Sequence, residues 1–435
     1  MKGTTPASRS ERSARFGRAD DLGASTERAR VRPAWASAPP TVRRLDAVTT
    51  ERVDVLVVGG GPVGLFVAAL LAARGVEVAV WERRSGAPTG SRAIGIHPPS
   101  LDAFAAIGLD APVLREAVRV RQGVARSRGR TLGTLTFDRA STTHPYVATL
   151  DQHRTEALLR DALAAAAPDA LRTGTALATL ERHADHVDAV GTDARGSVAV
   201  RARFVVGADG ARSAVRDLLG ISTTGRDYPD RYAMGDFADV EGSAARTAAL
   251  VDVGPAGVVE SFPLPGDRRR YVALLTPSDD PAPDATALAA IVAGRTGVRP
   301  DPDSCSMLSG FGIRRRQAER VGVGRVVLVG DAAHEISPIG GQGMNLGWLD
   351  AAALAPLLAE GLRTGSAGPW PEYARRRQAV ARRAARQAEV NMALGRPFGR
   401  PLGRVGAVGR EALLRTVLSL PSADGLAGVY AMRWA

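Results

Sequence analysis

The 435-residue chain has one cysteine, Cys305, and one lysine, Lys2, among its 57 basic residues. A lone thiol excludes an intramolecular disulfide and any cysteine-rich metal cluster, and it fits a reducing cytoplasm. With a single lysine, the formal net charge of +12 rests on arginine. The arginines are scattered and form no stripe along an aromatic-bearing face, so no nucleic-acid surface is expected. Six histidines, His97, His144, His153, His183, His186 and His334, form no HxxxH or HxH pair, and no metal site is expected. The longest uncharged run, Val55 to Ala73, is long enough for a membrane span, yet three consecutive glycines and Pro62 sit inside it. Asp46, Glu51 and Asp54 interrupt the approach to it, which argues against reading "TVRRLDAV" upstream as an export signal. A cytoplasmic protein with no membrane partner is the expectation. Repeats of solenoid length are absent.

What is present is globular: 45% of residues are hydrophobic and 23% charged, in a chain long enough for two or three domains. Residues 1–50 are rich in Arg, Ala, Ser and Pro without apolar periodicity, and read as a disordered basic extension or as the product of an early start codon. "VDVLVV" from Val53 has the uninterrupted apolar character of a strand buried on both faces. "GPVGLFVAALLAARG" predicts a helix ending near Gly75, and "VEVAVWE" a second strand, giving a βαβ start and a parallel sheet. Further strands are expected at 202–209 and 325–331, with a mixed, strand-rich segment between them and a loop where Pro and Asp cluster at Pro277 to Asp284. After Asp331 the pattern is helical almost to the end.

"VVGGGPVG" places Gly59, Gly61 and Gly64 in GxGxxG spacing between that strand and helix, with Pro62 inside the motif. The first glycine permits a tight turn, the second lets backbone approach a diphosphate, and the third lets helix pack on strand, while the helix N-terminus favours negative charge. Glu82, at the end of the second strand, stands where a carboxylate can reach ribose hydroxyls. The unit indicates a dinucleotide and leaves open whether it is a flavin or a nicotinamide. "VVGADGARSAVRDLLGI" and "RVVLVGDAAHEISPIGGQGMNLGWLDA" each end an apolar strand with Asp beside Gly, which puts Asp209 and Asp331 at the carboxyl edge of a sheet. Taken singly, each Asp reads equally as a helix N-cap.

Together and in this order the three motifs resemble the flavoprotein monooxygenases of the aromatic hydroxylase type, the family of p-hydroxybenzoate hydroxylase and the aromatic polyketide hydroxylases. The resemblance runs from about Val53 to about Arg383. It implies an α/β fold: a Rossmann-like, GR2-type FAD-binding domain of the p-hydroxybenzoate hydroxylase fold, with an inserted strand-rich substrate domain and C-terminal helices. The expected boundaries are 51–122, 150–222 and 305–365 for the FAD-binding domain, 123–149 and 223–304 for the substrate domain, and 366–435 for the helical end. The resemblance implies that Asp331 binds the ribityl chain of FAD and that Pro338 lies beside the isoalloxazine. Gly341, Gln342 and Gly343, followed by Met344 and Asn345, would open a helix whose N–H groups face the pyrimidine edge, and Gly330 completes the turn before Asp331. Such an N-terminus stabilises negative charge on reduced flavin. Asp209 and Arg216 match the middle motif, and Arg92 matches an arginine near the ribityl. Gln152 matches a glutamine heading a helix near the diphosphate or ribityl, and Arg83 is counted with Glu82. His334 is taken as structural, its pKa lowered by an N-terminal helix position.

The activity implied is hydroxylation of an aromatic or polyketide-like molecule by NAD(P)H and O2 through a flavin C4a-hydroperoxide, in secondary metabolism or aromatic catabolism, by a monomer or homodimer. NAD(P)H is expected as a transient donor, since no second GxGxxG is present. Same-fold alternatives are Baeyer–Villiger oxygen insertion and a non-oxygenating flavin reductase. The W-x-W-x-I-P signature of flavin halogenases is missing. Tyr232, Tyr271, His97 and Arg231 fall near the expected substrate segment but read as packing or surface, so no acid–base residue is assigned.

Overall fold

The computed structural model describes residues 50–86, 93–242, 245–398, 403–420 and 423–435. Two eight-stranded sheets organise the unit Val48–Ala435. In the first, Thr50–Val58 lies at the centre, parallel to Gly196–Gly207 on one side and Val78–Glu82 on the other. Leu171–Thr173 and Val326–Leu328 extend the parallel set outward. The apolar run is explained by double-sided cover: Val55, Leu56 and Val57 are wholly buried. The crossover helix Pro62–Ala72 has Pro at its first turn, where a missing N–H costs nothing, and the chain leaves it through Gly75 at φ +74°. Trp348 of the helix Gly343–Thr364 donates from Nε1 to Pro62 O at 3.1 Å, tying the late helix to the early motif.

The second sheet runs His334–Glu335, Met307–Ala318, Thr223–Ala238, Arg268–Leu275, Gly257–Leu264, Ala248–Gly254, Gln122–Ser127, Arg130–Thr136. Met307–Ala318 falls on the FAD-binding side of the expected boundary at 305, but it belongs to this sheet: it pairs antiparallel along most of Thr223–Ala238. Its far end pairs with His334–Glu335, so the second sheet is hydrogen-bonded directly to the turn that carries Asp331. A helix not expected from sequence, Ala285–Thr296, follows the Pro/Asp loop, with Asp284 as N-cap accepting from Ala287 N at 2.8 Å. Its small apolar residues carry little helical periodicity, and it is its packing on the outer face of the second sheet, with Leu288 and Val292 buried, that fixes it. Long helices Trp370–Gly395 and Gly403–Ser419, then Ala423–Tyr430, close the chain. None of the described helices is long and apolar enough to cross a membrane.

Candidate functional site

The ends of the parallel strands open into one cavity of about 1820 Å³ that continues onto the face of the second sheet. At its first end the glycine motif adopts a conformation that other residues would obstruct. Gly59 has φ +108°, and a Cβ there would lie 2.4 Å from Ala208 O. A Cβ on Gly64 would lie 1.8 Å from Gly59 O, which is why the helix can sit against the strand. Gly61, the N-cap of the helix, meets nothing within 4 Å, so open space stands at the helix N-terminus. Glu82 accepts from Gly60 N at 2.8 Å and from Arg84 N and Nε at 2.9 and 2.8 Å. Burial opposes its ionisation, but Arg84 and the two backbone N–H groups outweigh that and hold its carboxyl below the usual range. The carboxylate therefore braces the glycine turn as well as facing the cavity.

The second strand end supplies Asp209, whose oxygens accept from Ser213 Oγ at 2.6 Å and Val215 N at 3.1 Å. Burial pushes its carboxyl upward. Arg216 donates to Ala332 O at 3.2 Å, bridging the middle motif to the late one. Asp331 has no hydrogen-bond or ion-pair partner among the described residues. Its side chain is exposed to the cavity, and partial desolvation by the surrounding turn, with Glu335 and Asp350 nearby, pushes its carboxyl up to about 6 against the opposing pull of His334.

A buried ionic cluster under this turn positions it. Asp350 Oδ2 accepts from Gly330 N at 3.0 Å and lies 2.6 Å from His334 Nε2, while Oδ1 accepts from Arg377 Nε at 2.6 Å. Burial alone would neutralise both groups. Mutual attraction overcomes it, holding Asp350, which Arg377 also stabilises, below its ordinary value and His334 above its own against the opposing charge of Arg377. This corrects the expected lowering of the His334 pKa: the residue sits in a short strand against a carboxylate, not at a helix N-terminus.

The expected cofactor residues divide into two groups. Gly59, Gly61, Pro62, Glu82, Arg83, Gln152, Asp209, Asp331, Pro338, Gly341, Gly343 and Met344 line the cavity. Gly64 and Gly330 act from behind through backbone packing. Gln342 and Asn345 do not line it. The side chain of Gln342 is buried with its amide oxygen and nitrogen unsatisfied. Asn345 accepts from His97 N at 2.8 Å and donates to Gly95 O and Gly341 O at 2.9 and 2.8 Å, stapling the segment before the helix Pro98–Ala105 to the glycine turn at Gly341. Arg92 lies outside the described residues.

His97 lines the cavity, and burial lowers its pKa to about 4, so it is a neutral imidazole there. Tyr232 and Tyr271 are buried off the cavity and Arg231 is exposed. Sequence reasoning passed over Asp350, a helical aspartate with no motif of its own, and Glu260, one polar residue in an apolar strand. It also took the histidines as scattered, whereas a hairpin stacks His183 on His186 at 4.3 Å, close to Asp188. Asp188 is held by Arg201 at 2.8 and 2.9 Å, and the group does not line the cavity.

The family model described as FAD binding domain matches residues 52–388. The chain belongs to the FAD binding domain family. It is 36% identical over 313 residues to rifampicin monooxygenase of Streptomyces venezuelae, covering 70% of this chain and 64% of that protein, less than two thirds of the relative's length. Among solved structures, p-nitrophenol 4-monooxygenase from Pseudomonas putida superposes with a TM-score of 0.79 at 25% identity, covering 87% of this chain and 98% of that one. Aklavinone-11 hydroxylase, solved as a ternary complex with FAD and aklavinone, superposes with a TM-score of 0.69 at 30% identity, covering 82% and 71%. FAD fits the residues present: the open space beyond Gly61 suits a diphosphate at a helix N-terminus, and the unpartnered Asp331 carboxylate suits a polyol.

Proposed function

We propose that the protein is an FAD-dependent monooxygenase that hydroxylates an aromatic or polyketide-like molecule with NAD(P)H and O2. The observation that carries this reading is the continuity of the cavity, which joins a dinucleotide cradle to an apolar chamber without an intervening wall. Ligand pockets commonly span roughly 300–1,000 Å³. A cavity of about 1820 Å³ therefore has room for a cofactor and a second molecule side by side.

In this reading Gly59, Gly61 and the N-terminus of Pro62–Ala72 would hold the diphosphate, with Glu82 bracing the turn. Asp331 would accept from the ribityl hydroxyls, and Asp350, acting through Gly330, keeps that carboxylate in place. The N-terminus of Gly343–Thr364 opens on the cavity beside Pro338 and Gly341, where its N–H groups would stabilise anionic charge. Bound FAD supplies the redox chemistry, electron uptake from NAD(P)H and delivery to O2. The chain's own contribution is a chamber walled by Val124, Leu135, Val251, Val272, Phe311 and Leu414, which keeps water from the reacting atoms. The p-nitrophenol and aklavinone enzymes support an aromatic substrate. A cytoplasmic location goes with the reading and is supported by the lone thiol.

The test is to reconstitute the purified protein with FAD and follow NAD(P)H oxidation and O2 consumption with a panel of phenols. Substrate-stimulated oxygen uptake coupled to a hydroxylated product is expected. NAD(P)H oxidation that no aromatic compound stimulates, with no oxygenated product, would overturn the assignment.

A further inference from the structure

Strand Gly257–Leu264 forms part of the chamber wall, and its alternate residues Val258, Glu260 and Phe262 face inward. Across the ladder Glu260 stands opposite Val251 on one side and Val272 on the other, both also lining the cavity. A carboxyl group is thus set among apolar neighbours on all four sides. It has no hydrogen-bond or ion-pair partner among the described residues. Of the two tyrosines that feel its charge, Tyr430 donates to Asn391 Oδ1 at 2.9 Å, and the hydroxyl of Tyr232 is buried without a partner. Arg270, on the next strand of the same face, is bound to Asp236 at 2.6 and 2.8 Å. A partly buried acid facing the chamber without a partner is costly to keep, and nothing in the fold uses this one.

We propose that Glu260 is the polar contact that selects and orients the substrate, and that the chamber takes a bulky aromatic molecule carrying a hydroxyl or N–H donor and no carboxylate of its own beside that donor. The proposal rests on the chamber being the substrate site of the monooxygenase reading. A donor on the ligand supplies the partner that the carboxylate lacks, while the surrounding valines and Phe262 take the ring system. A ligand without a donor covers Glu260 and leaves it unpaired, and a ligand carboxylate adds like charge beside it; either outcome costs binding free energy. Burial raises the Glu260 carboxyl to about 7, so its charge, and with it the selectivity, changes across neutral pH. Tyr232 and Tyr430 stay neutral there, the latter pushed up to about 12 by burial and by Glu260.

The experiment is equilibrium dialysis of the FAD-loaded protein against 2-naphthol, 2-methoxynaphthalene and 2-naphthoate. Naphthol should bind roughly ten- to hundredfold more tightly than the methyl ether, as expected of one hydrogen bond to a charged acceptor. That preference should grow, and naphthoate binding should weaken, as pH rises through about 7. In Glu260→Gln the pH dependence should vanish; in Glu260→Leu the preference itself should vanish while the ether still binds. Equal binding of naphthol and ether by the wild type, a preference that survives in Glu260→Leu, or no binding of either probe would overturn the proposal. Failure of the parent reading is separate: it would show as NAD(P)H and O2 consumption that aromatic compounds do not stimulate, whatever the dialysis gives.

Discussion

Replacing Asp350 by alanine tests whether the buried cluster beneath the Asp331 turn holds the site. The substitution removes a counter-ion from His334 and from Arg377, each 2.6 Å away, and an acceptor from Gly330 N. Breaking one member of a buried pair costs about 3–5 kcal/mol, since the surviving charge is left unpaired. His334 can escape by losing its proton; Arg377 cannot. The loss should therefore sit near the lower end at high pH and near the upper end in mild acid. The signs agree. His334 has a raised folded pKa, so its contribution is complete below its unfolded value of about 6.5 and fades as pH climbs through the folded value. Asp350 has a depressed folded pKa, so its contribution is complete above about 3.9 and fades as pH falls below. The gap between wild type and Asp350→Ala should thus be widest between about pH 4 and 6.5 and narrow on either side. At ~2.1 cal/mol/K of unfolding entropy per residue, a 4 kcal/mol loss lowers the melting temperature by roughly 5 °C in a unit of this length. Urea and thermal unfolding across that pH range, with FAD retention measured in parallel, provide the assay. A gap that is absent, or constant with pH, would refute the account of a paired buried charge.

Asp331→Ala should show the opposite combination. The group has no hydrogen-bond or ion-pair partner among the described residues and is exposed to the cavity, so its raised carboxyl pKa of about 6 means its ionisation opposes folding, weakly, above its unfolded value of about 3.9 and most fully above about pH 6. The FAD-free variant should therefore melt at or above the wild-type temperature near pH 8 while retaining little FAD after gel filtration; full flavin occupancy would count against the placing of the ribityl chain. Gly61→Ala and Gly64→Ala should separate binding from folding. The first adds a methyl group to open space and should lower FAD affinity with little change in melting, whereas the second places Cβ 1.8 Å from Gly59 O and should cost at least about 1–3 kcal/mol of stability. Comparable melting temperatures for the two variants would contradict the assigned roles. Asn345→Leu leaves His97 N and two carbonyls without their partner and should destabilise by about 1–3 kcal/mol, read by urea unfolding.

By itself the sequence determined the cofactor half of this protein. Its signals are local: an apolar run buried on both faces, glycines at spacings that only a strand–turn–helix uses, and an Asp beside Gly at a strand end. Backbone conformation and short-range packing impose the glycines, so Gly59 and Gly64 could be named before any fold was known, whereas Asp331 was reached through the resemblance of three motifs in order. Only the tertiary structure decided the rest. Met307–Ala318 joined the second sheet because its long pairing partner, Thr223–Ala238, lies some eighty residues away, and no local pattern records that choice. Asp350 became a counter-ion for His334 and Arg377 because helix packing brings three separated residues together. Glu260 became an unpartnered acid among apolar neighbours because strand register aims it inward between Val251 and Val272. Partnership, register and enclosure belong to the assembled chain, and it is on them that the choice of substrate rests.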